Sequence, residues 1–462
     1  MPSMDIFAES STVSARRAQP PEAQSEQCQT MLEQRNQSRT SPIASDRSIW
    51  ACPRADVSLV KESGVHMATT LQPRAQALTG IEARAVPEIR SIPWYVWSLF
   101  AAVVSVVVGG YWDISWHMSI GRDSFWTPAH LAIQLCGIIS GLSCGYLILS
   151  CTLRRDPSLR SASVEVWNFR GPLGAFIAAW GGATMLASAP FDNWWHNAYG
   201  LDVKIFSPPH VVLDGGVLAI QFGAVVLVAS TRNRSSGLLR NKLDWLLLLL
   251  GGMITMLALT VVWESTYRVL MHTAVCYRAV AIVAPVVLTG FAKISEQRWG
   301  RTIVAGIYTA YAMMMLWVFP LFPATPKLGP VYQRITHFVP MEFPLLVIVP
   351  ALVLDAFWPR IVGWQKWPQS VMLGTVFLAV FVAVQWPFAN FLISPASGNW
   401  FFGTNYFAYF ASPNGFDVRH MFFPAERSSA EFWLRMAEAL VLATLSSRLG
   451  LAWGEWVQKI RR

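Results

Sequence analysis

Charge is scarce in this chain: only 14% of its 462 residues are Asp, Glu, Lys or Arg, against about 25% in an ordinary soluble domain. A soluble protein of this length would need two or three domains with separate cores, and so little charge argues against it. Paired cysteines are also missing. The six cysteines, Cys28, Cys52, Cys136, Cys144, Cys151 and Cys276, form no CxxC pair, so neither a disulfide framework nor a zinc knuckle is expected. There is no phosphate-cradling glycine loop, no G-x-S-x-G and no haem-attachment motif, which removes the common nucleotide, hydrolase and c-type haem readings.

What the chain has instead is apolar length. Hydrophobic residues make up 53% of it, and they fall into runs of about 20, the length that crosses a ~30 Å hydrocarbon layer. The runs lie at about 94–112, 128–150, 171–191, 208–230, 243–263, 274–292, 302–322, 339–357, 369–393 and 430–451. The sixth carries Arg278, expected to snorkel or to pair with Glu264, and the tenth carries Arg435 and Glu438. Spanning segments must satisfy their own backbone hydrogen bonds, so the runs predict helices. The fold class expected is therefore all-α, a polytopic bundle of about ten transmembrane helices. Residues 1–92 are rich in Ser, Gln, Arg, Pro and Ala, with balanced charges and no apolar period. They are expected to be a disordered tail rather than a secretory signal. Residues 93–232 form a four-helix region, and 233–462 supply six further helices with an aromatic loop at 394–429.

The net charge of +9 lies between the apolar runs, so it predicts orientation in a membrane rather than a nucleic-acid partner. Arg154, Arg155, Arg160 and Arg170 follow the second run, Arg232, Arg234, Arg240 and Lys242 the fourth, and Lys293, Arg298 and Arg301 the sixth. Intervening loops are poorer in Lys and Arg, which by the positive-inside rule puts both termini in the cytoplasm and the protein in the inner membrane. Seven of the eight histidines then fall at the outer side; only His66 lies elsewhere.

Two outward hairpins share one pattern. The first reads Asp113-x-x-Trp116-His117, Gly121-Arg122-Asp123, Thr127-Pro128-x-His130; the second reads Asp192-x-x-Trp195-His196, Gly200-x-Asp202, Ser207-Pro208-x-His210. They form a parallel internal repeat, a symmetry that often places sites between its halves. If the outgoing helix continues through D-x-x-x-H, each Asp and His are i,i+4 on one face. Thr127 and Ser207 sit as N-caps with proline at the first helical position. His130 and His210 then fall in the first turn of the returning helix, where the helix dipole favours neutral, ligand-form imidazole. Asp113, His117 and His130 are thus one candidate metal set, and Asp192, His196 and His210 the second. Asp123, Asp202 and Asp214 are supporting acids around them. A single D-x-x-x-H at a helix end is more often a hydrogen-bonded interfacial pair, and the tryptophans nearby are most simply an aromatic belt. Duplication at matching spacing is what favours ligands. Glu264 with His272, and His337 with Glu342, are weaker candidates, and the loop from Trp400 to Phe423 reads as a lid or docking surface. Two imidazoles and a carboxylate suit copper, iron or zinc alike.

The first hairpin, WHMSIGRDSFWTPAH, resembles the C subunit of the copper membrane monooxygenases, the particulate methane and ammonia enzymes. In that family an Asp, a His four residues on and a second His thirteen further on bind copper; Asp113, His117 and His130 match, as do Arg122, Asp123, Thr127 and Pro128. A second family set has Asn where this chain has Asp192, followed by His196 and His210. The likeness is that of a distant relative, covering about residues 110–215 of a chain with several more helices than the family subunit. It implies copper as cofactor, an oxidoreductase of monooxygenase type or a subunit of one, and partner subunits or a homo-oligomer in the bilayer. An ion or metal transporter, or a non-catalytic subunit with structural metal sites, are the alternatives.

Overall fold

The computed structural model describes residues 90–121, 124, 126–154, 160, 162–199 (without the His196 side chain), 207–412 and 421–462. Among these, ten α-helices occupy the ten apolar runs: α1 Trp94–Ser119, α2 Pro128–Leu153, α3 Leu173–Tyr199, α4 Pro208–Arg232, α5 Gly237–Val261, α6 Ala274–Ser295, α7 Gly300–Val318, α8 Ile348–Ile361, α9 Lys366–Leu392 and α10 Ser429–Val457. A two-stranded hairpin, β1 Val164–Val166 and β2 Phe169–Gly171, joins α2 to α3. The chain is an all-α polytopic membrane protein. Eight helices, α1 to α7 and α9, are long and apolar enough to cross a bilayer. An apolar stripe of Leu131, Leu135, Ile138, Leu142 and Leu149 on α2 is exposed, as a lipid-facing surface is. The expected tail lies almost entirely within residues 1–89, outside the described residues, as do residues 413–420 of the aromatic loop.

The eighth and tenth runs differ from the simple expectation. α8 has 14 residues, too short for a span of about 20, and residues 339–346 before it have no regular secondary structure, with Val347 in a turn. Pro340 and Pro344 explain this, because each removes an N–H and pushes the residue before it out of helical space. Extended backbone at membrane depth survives only where protein supplies its partners, and here side chains do so. The Val339 N–H donates to Ser119 Oγ (2.7 Å), that of Met341 to the Tyr111 hydroxyl (3.0 Å), that of Leu345 to the Tyr308 hydroxyl (3.0 Å) and that of Leu346 to Gln385 Oε1 (3.0 Å). Ser115 Oγ donates to the Val339 carbonyl at 2.6 Å. Tyr111, Ser115 and Ser119 are fully buried and recur every four residues along α1.

α10 is long, at 29 residues, but carries Glu431, Arg435, Glu438, Arg448 and Glu455. Its place is fixed by α6. There Pro285 interrupts the helix ladder, and Ser446 of α10 inserts its hydroxyl, accepting from the Val286 N–H (2.9 Å) and donating to the Ile282 carbonyl (2.7 Å). Arg278 does not pair with Glu264 as expected. It lies on the α6 face that packs against α10 and pairs with Glu438 at 3.3 Å.

At the end of the bundle rich in arginine, two buried ion pairs tie helices together. Arg232 meets Asp244 at 2.7 Å, and Arg301 meets Asp355 at 3.0 Å beneath the face of Trp358. Thr302 donates both its N–H and its hydroxyl to the same Asp355 carboxylate, which satisfies the remaining acceptor atom. At the other end the loops 322–338 and 398–412 cover the terminus of α1. Tyr409 N donates to the Met118 carbonyl and Lys327 N to that of Ile120, so carbonyls that a helix end leaves open are satisfied.

Replacing Tyr111 or Tyr308 by Phe removes the acceptor of a buried N–H and is expected to destabilise the protein by about 1–3 kcal/mol in each case. Thermal unfolding in detergent measures it; wild-type midpoints in both variants would refute the assignment of these hydroxyls to the extended segment.

Candidate metal centre

The site grows out of helix contacts set by small residues. A Cβ on Gly109 of α1 would stand 2.8 Å from the Ile133 nitrogen and 3.1 Å from the Ala129 carbonyl oxygen of α2, so only glycine allows this approach. Asp113 lies one turn beyond Gly109, and His130 one turn before Gln134, which brings the two side chains face to face. In the second hairpin, Ser188 occupies the place of Gly109 and is buried. Deeper in that pair, a Cβ on Gly181 would meet the Gly216 carbonyl oxygen at 2.7 Å, and one on Gly216 would meet the Gly181 carbonyl oxygen at 2.9 Å. Such small-residue seams let membrane helices touch backbone to backbone.

Both helices run through their D-x-x-x-H segments, α1 to Ser119 and α3 to Tyr199. Asp113 and His117 are therefore one turn apart, with His117 Nε2 3.9 Å from Asp113 Oδ2. His130, in the first turn of α2, brings Nε2 to 3.1 Å from Asp113 Oδ1. Ligand atoms of Asp113, His117 and His130 all lie within 4.8 Å of one another, a grouping that could hold a metal ion. Opposite, His210 Nε2 is 3.7 Å from Asp192 Oδ1. The His196 side chain, Asp123 and Asp202 lie outside the described residues.

Proline occupies the first helical position of α2 and α4 as expected, but neither Thr127 nor Ser207 caps its helix through its side chain. The Thr127 hydroxyl turns back instead, donating to the Ser124 carbonyl and accepting from the Ser124 N–H. A proline at the helix start leaves one fewer N–H to cap, so the hydroxyl is released to fold the loop. That loop has a use. The Ser124 carbonyl stands 3.1 Å from His130 Nδ1, and a proton held there leaves Nε2 as the lone-pair nitrogen turned to Asp113. Ligands about 2.0–2.1 Å from one ion stand roughly 3 Å apart, so the donor set fits a metal.

Asp113, His117, His130, Asp192, His210 and Asp214 line a single cavity of about 500 Å³. The hairpins therefore share one chamber rather than two separate pockets. Gln134 and Asp214 occupy its inner wall, each one turn beyond the histidine of its half. Glu264 also lines the cavity, together with Trp263 and Tyr267, and Tyr409 and Phe410 close over it from the aromatic loop. Gly121 makes this closure possible: its φ of +79° suits glycine, and a Cβ there would collide with the Tyr409 hydroxyl.

The other sequence candidates do structural work elsewhere. His272 is stacked between Trp386 and Phe422, with Nε2 3.0 Å from the Trp386 carbonyl; burial lowers its pKa below the usual histidine value. His337 meets the ring of Tyr406 edge-on. Glu342 accepts from the Arg268 N–H at 2.7 Å and pairs with its guanidinium. None of these three lines the cavity of the Asp113 cluster. Comparison with protein-family models, with curated proteins and with solved structures finds no match to this chain.

Proposed function

We propose that this protein is an integral membrane copper protein, an oxidoreductase of monooxygenase type or a subunit of one, acting at the cavity between its two repeated hairpins. The observation that carries the reading is the convergence of Asp113, His117 and His130 within 4.8 Å on the wall of that cavity. The paired Asp192 and His210 face the same space, and His196 stands one turn beyond Asp192 on α3. Resemblance to the copper monooxygenase C subunit selects copper, since two imidazoles and a carboxylate suit iron and zinc as well. Bound copper supplies one-electron redox chemistry. The chain's own residues prepare the place for it. Ser124 fixes the His130 ring, Asp113 holds the two imidazoles of its half together, and Ile114, Ile133, Leu213 and Leu257 give the chamber an apolar wall suited to a small substrate.

A carrier reading is favoured less. Transport needs a path onward from Asp214 toward the far end of the bundle. Along that course α3 and α4 press backbone to backbone at Gly181 and Gly216, and the far end holds the Arg232–Asp244 and Arg301–Asp355 pairs.

The orientation we propose keeps both termini in the cytoplasm of an inner membrane, with the half-extended segment ending in α8 and the charged α10 completing ten crossings. The buried arginine pairs then lie at the cytoplasmic end and the metal cavity at the outer end. Reporter fusions after Arg234 and Arg301 are expected to report from the cytoplasm and one after Asp202 from outside; the reverse pattern would invert the proposed topology.

Metal analysis of the purified protein tests the centre. His117→Ala combined with His130→Ala is expected to lower bound copper by the first site's share while the protein still inserts. Unchanged metal in the double variant, or none in the wild type, would leave the cluster as hydrogen-bonded packing.

A further inference from the structure

The charge of the cavity is not exhausted by its histidine clusters. Four carboxylates line it, Asp113, Asp192, Asp214 and Glu264, and no Lys or Arg is among the described lining residues. Asp113 and Asp192 each face an imidazole, at 3.1 and 3.7 Å, and Asp214 lies one turn beyond His210 on the same helix. Glu264 is different. It stands on the wall built by the turn after α5, and no ion pair of Glu264 occurs among the described residues. Its neighbours there are aromatic. Trp263 and Tyr267 form a corner, with ring centroids 4.5 Å apart and planes at 73°. Tyr409 and Phe410 form a second corner on the covering loop, at 5.2 Å and 86°, and all four residues line the cavity.

A carboxylate beside perpendicular aromatic faces discriminates among cations. A strongly hydrated inorganic ion gains little from aromatic rings. A poorly hydrated ammonium bearing alkyl groups gains both the attraction of the ring faces and the burial of its methyl or methylene carbons. We infer that the wall formed by Trp263, Glu264 and Tyr267 is a binding site for a small alkylammonium ion in the cavity that the Asp113 cluster also lines. Glu264 supplies the counter-charge and the two aromatic corners enclose the alkyl groups. The inference goes beyond the metal reading and does not require it, because no residue of the Asp113 cluster belongs to this wall.

Calorimetry on the detergent-purified full chain tests it, with choline as the probe and 3,3-dimethylbutan-1-ol, which replaces the charged nitrogen by carbon, as the neutral control. Choline is expected to bind, the alcohol to bind at least roughly tenfold more weakly, and Glu264→Gln and Trp263→Leu each to weaken choline by roughly tenfold or more. His117→Ala/His130→Ala is expected to retain choline binding whatever its metal content, which separates this inference from the metal centre. Equal binding of choline and the alcohol, no binding of choline to the wild type, or unchanged choline affinity in both Glu264→Gln and Trp263→Leu would overturn it.

Discussion

In a bilayer no water is on hand to satisfy a backbone N–H or C=O, and each one left open costs several kcal/mol. Helix α1 meets this constraint for itself and for a neighbour. Its Tyr111, Ser115 and Ser119 stripe carries the hydrogen bonds of Val339 and Met341 in the non-helical segment before α8. Gly109, Asp113 and His117 recur at the same four-residue interval but are offset by two positions, which at 3.6 residues per turn places them on the opposite face. One helix thus has a face bound to protein backbone and a face bound to the cavity. The first fixes the second: a helix pinned along one side by buried hydrogen bonds cannot rotate its carboxylate and imidazole away from α2.

The repeat explains why the cavity is shared. Each hairpin brings an aspartate and a histidine together across a close helix contact, and the contact of α2 with α3 turns both pairs toward one space. The halves are not copies. Glycine in one becomes serine in the other at positions 109 and 188, and Gln134 in one becomes Asp214 in the other. The second half therefore brings one more carboxylate to the chamber. Loops from the second part of the chain then close it, since Trp263, Glu264, Tyr267 and Tyr409 all come from beyond α4. The four-helix region holds the clusters, and the later helices furnish the remaining walls.

Much of this was legible in the sequence. Hydrophobic length placed nine of the helices and only the later part of the eighth run, and D-x-x-x-H with S/T-P-x-H placed the ligand candidates, because both signals are local. Interactions between distant segments were harder to read. Apolarity alone makes the eighth run a helix, although Pro340 and Pro344 signal non-helical backbone, and the i,i+4 spacing of Tyr111, Ser115 and Ser119 offers its partners. From sequence alone Arg278 either snorkels or pairs with Glu264, whereas helix packing gives it Glu438. Thr127 was read as a cap, and only the folded loop shows its hydroxyl spent on Ser124. That Glu264 reaches the cavity of Asp113 could not be read from either motif, since it depends on how α5 packs against α1.

The metal we propose for that cavity would sit among imidazoles and carboxylates. The cysteines described, Cys136, Cys144, Cys151 and Cys276, are all buried away from it. X-ray absorption at the copper edge of the purified protein tests this most directly. Nitrogen and oxygen nearest neighbours with the outer-shell scattering of imidazole rings are the expected result. A sulfur-dominated shell, or no copper edge at all, would contradict it.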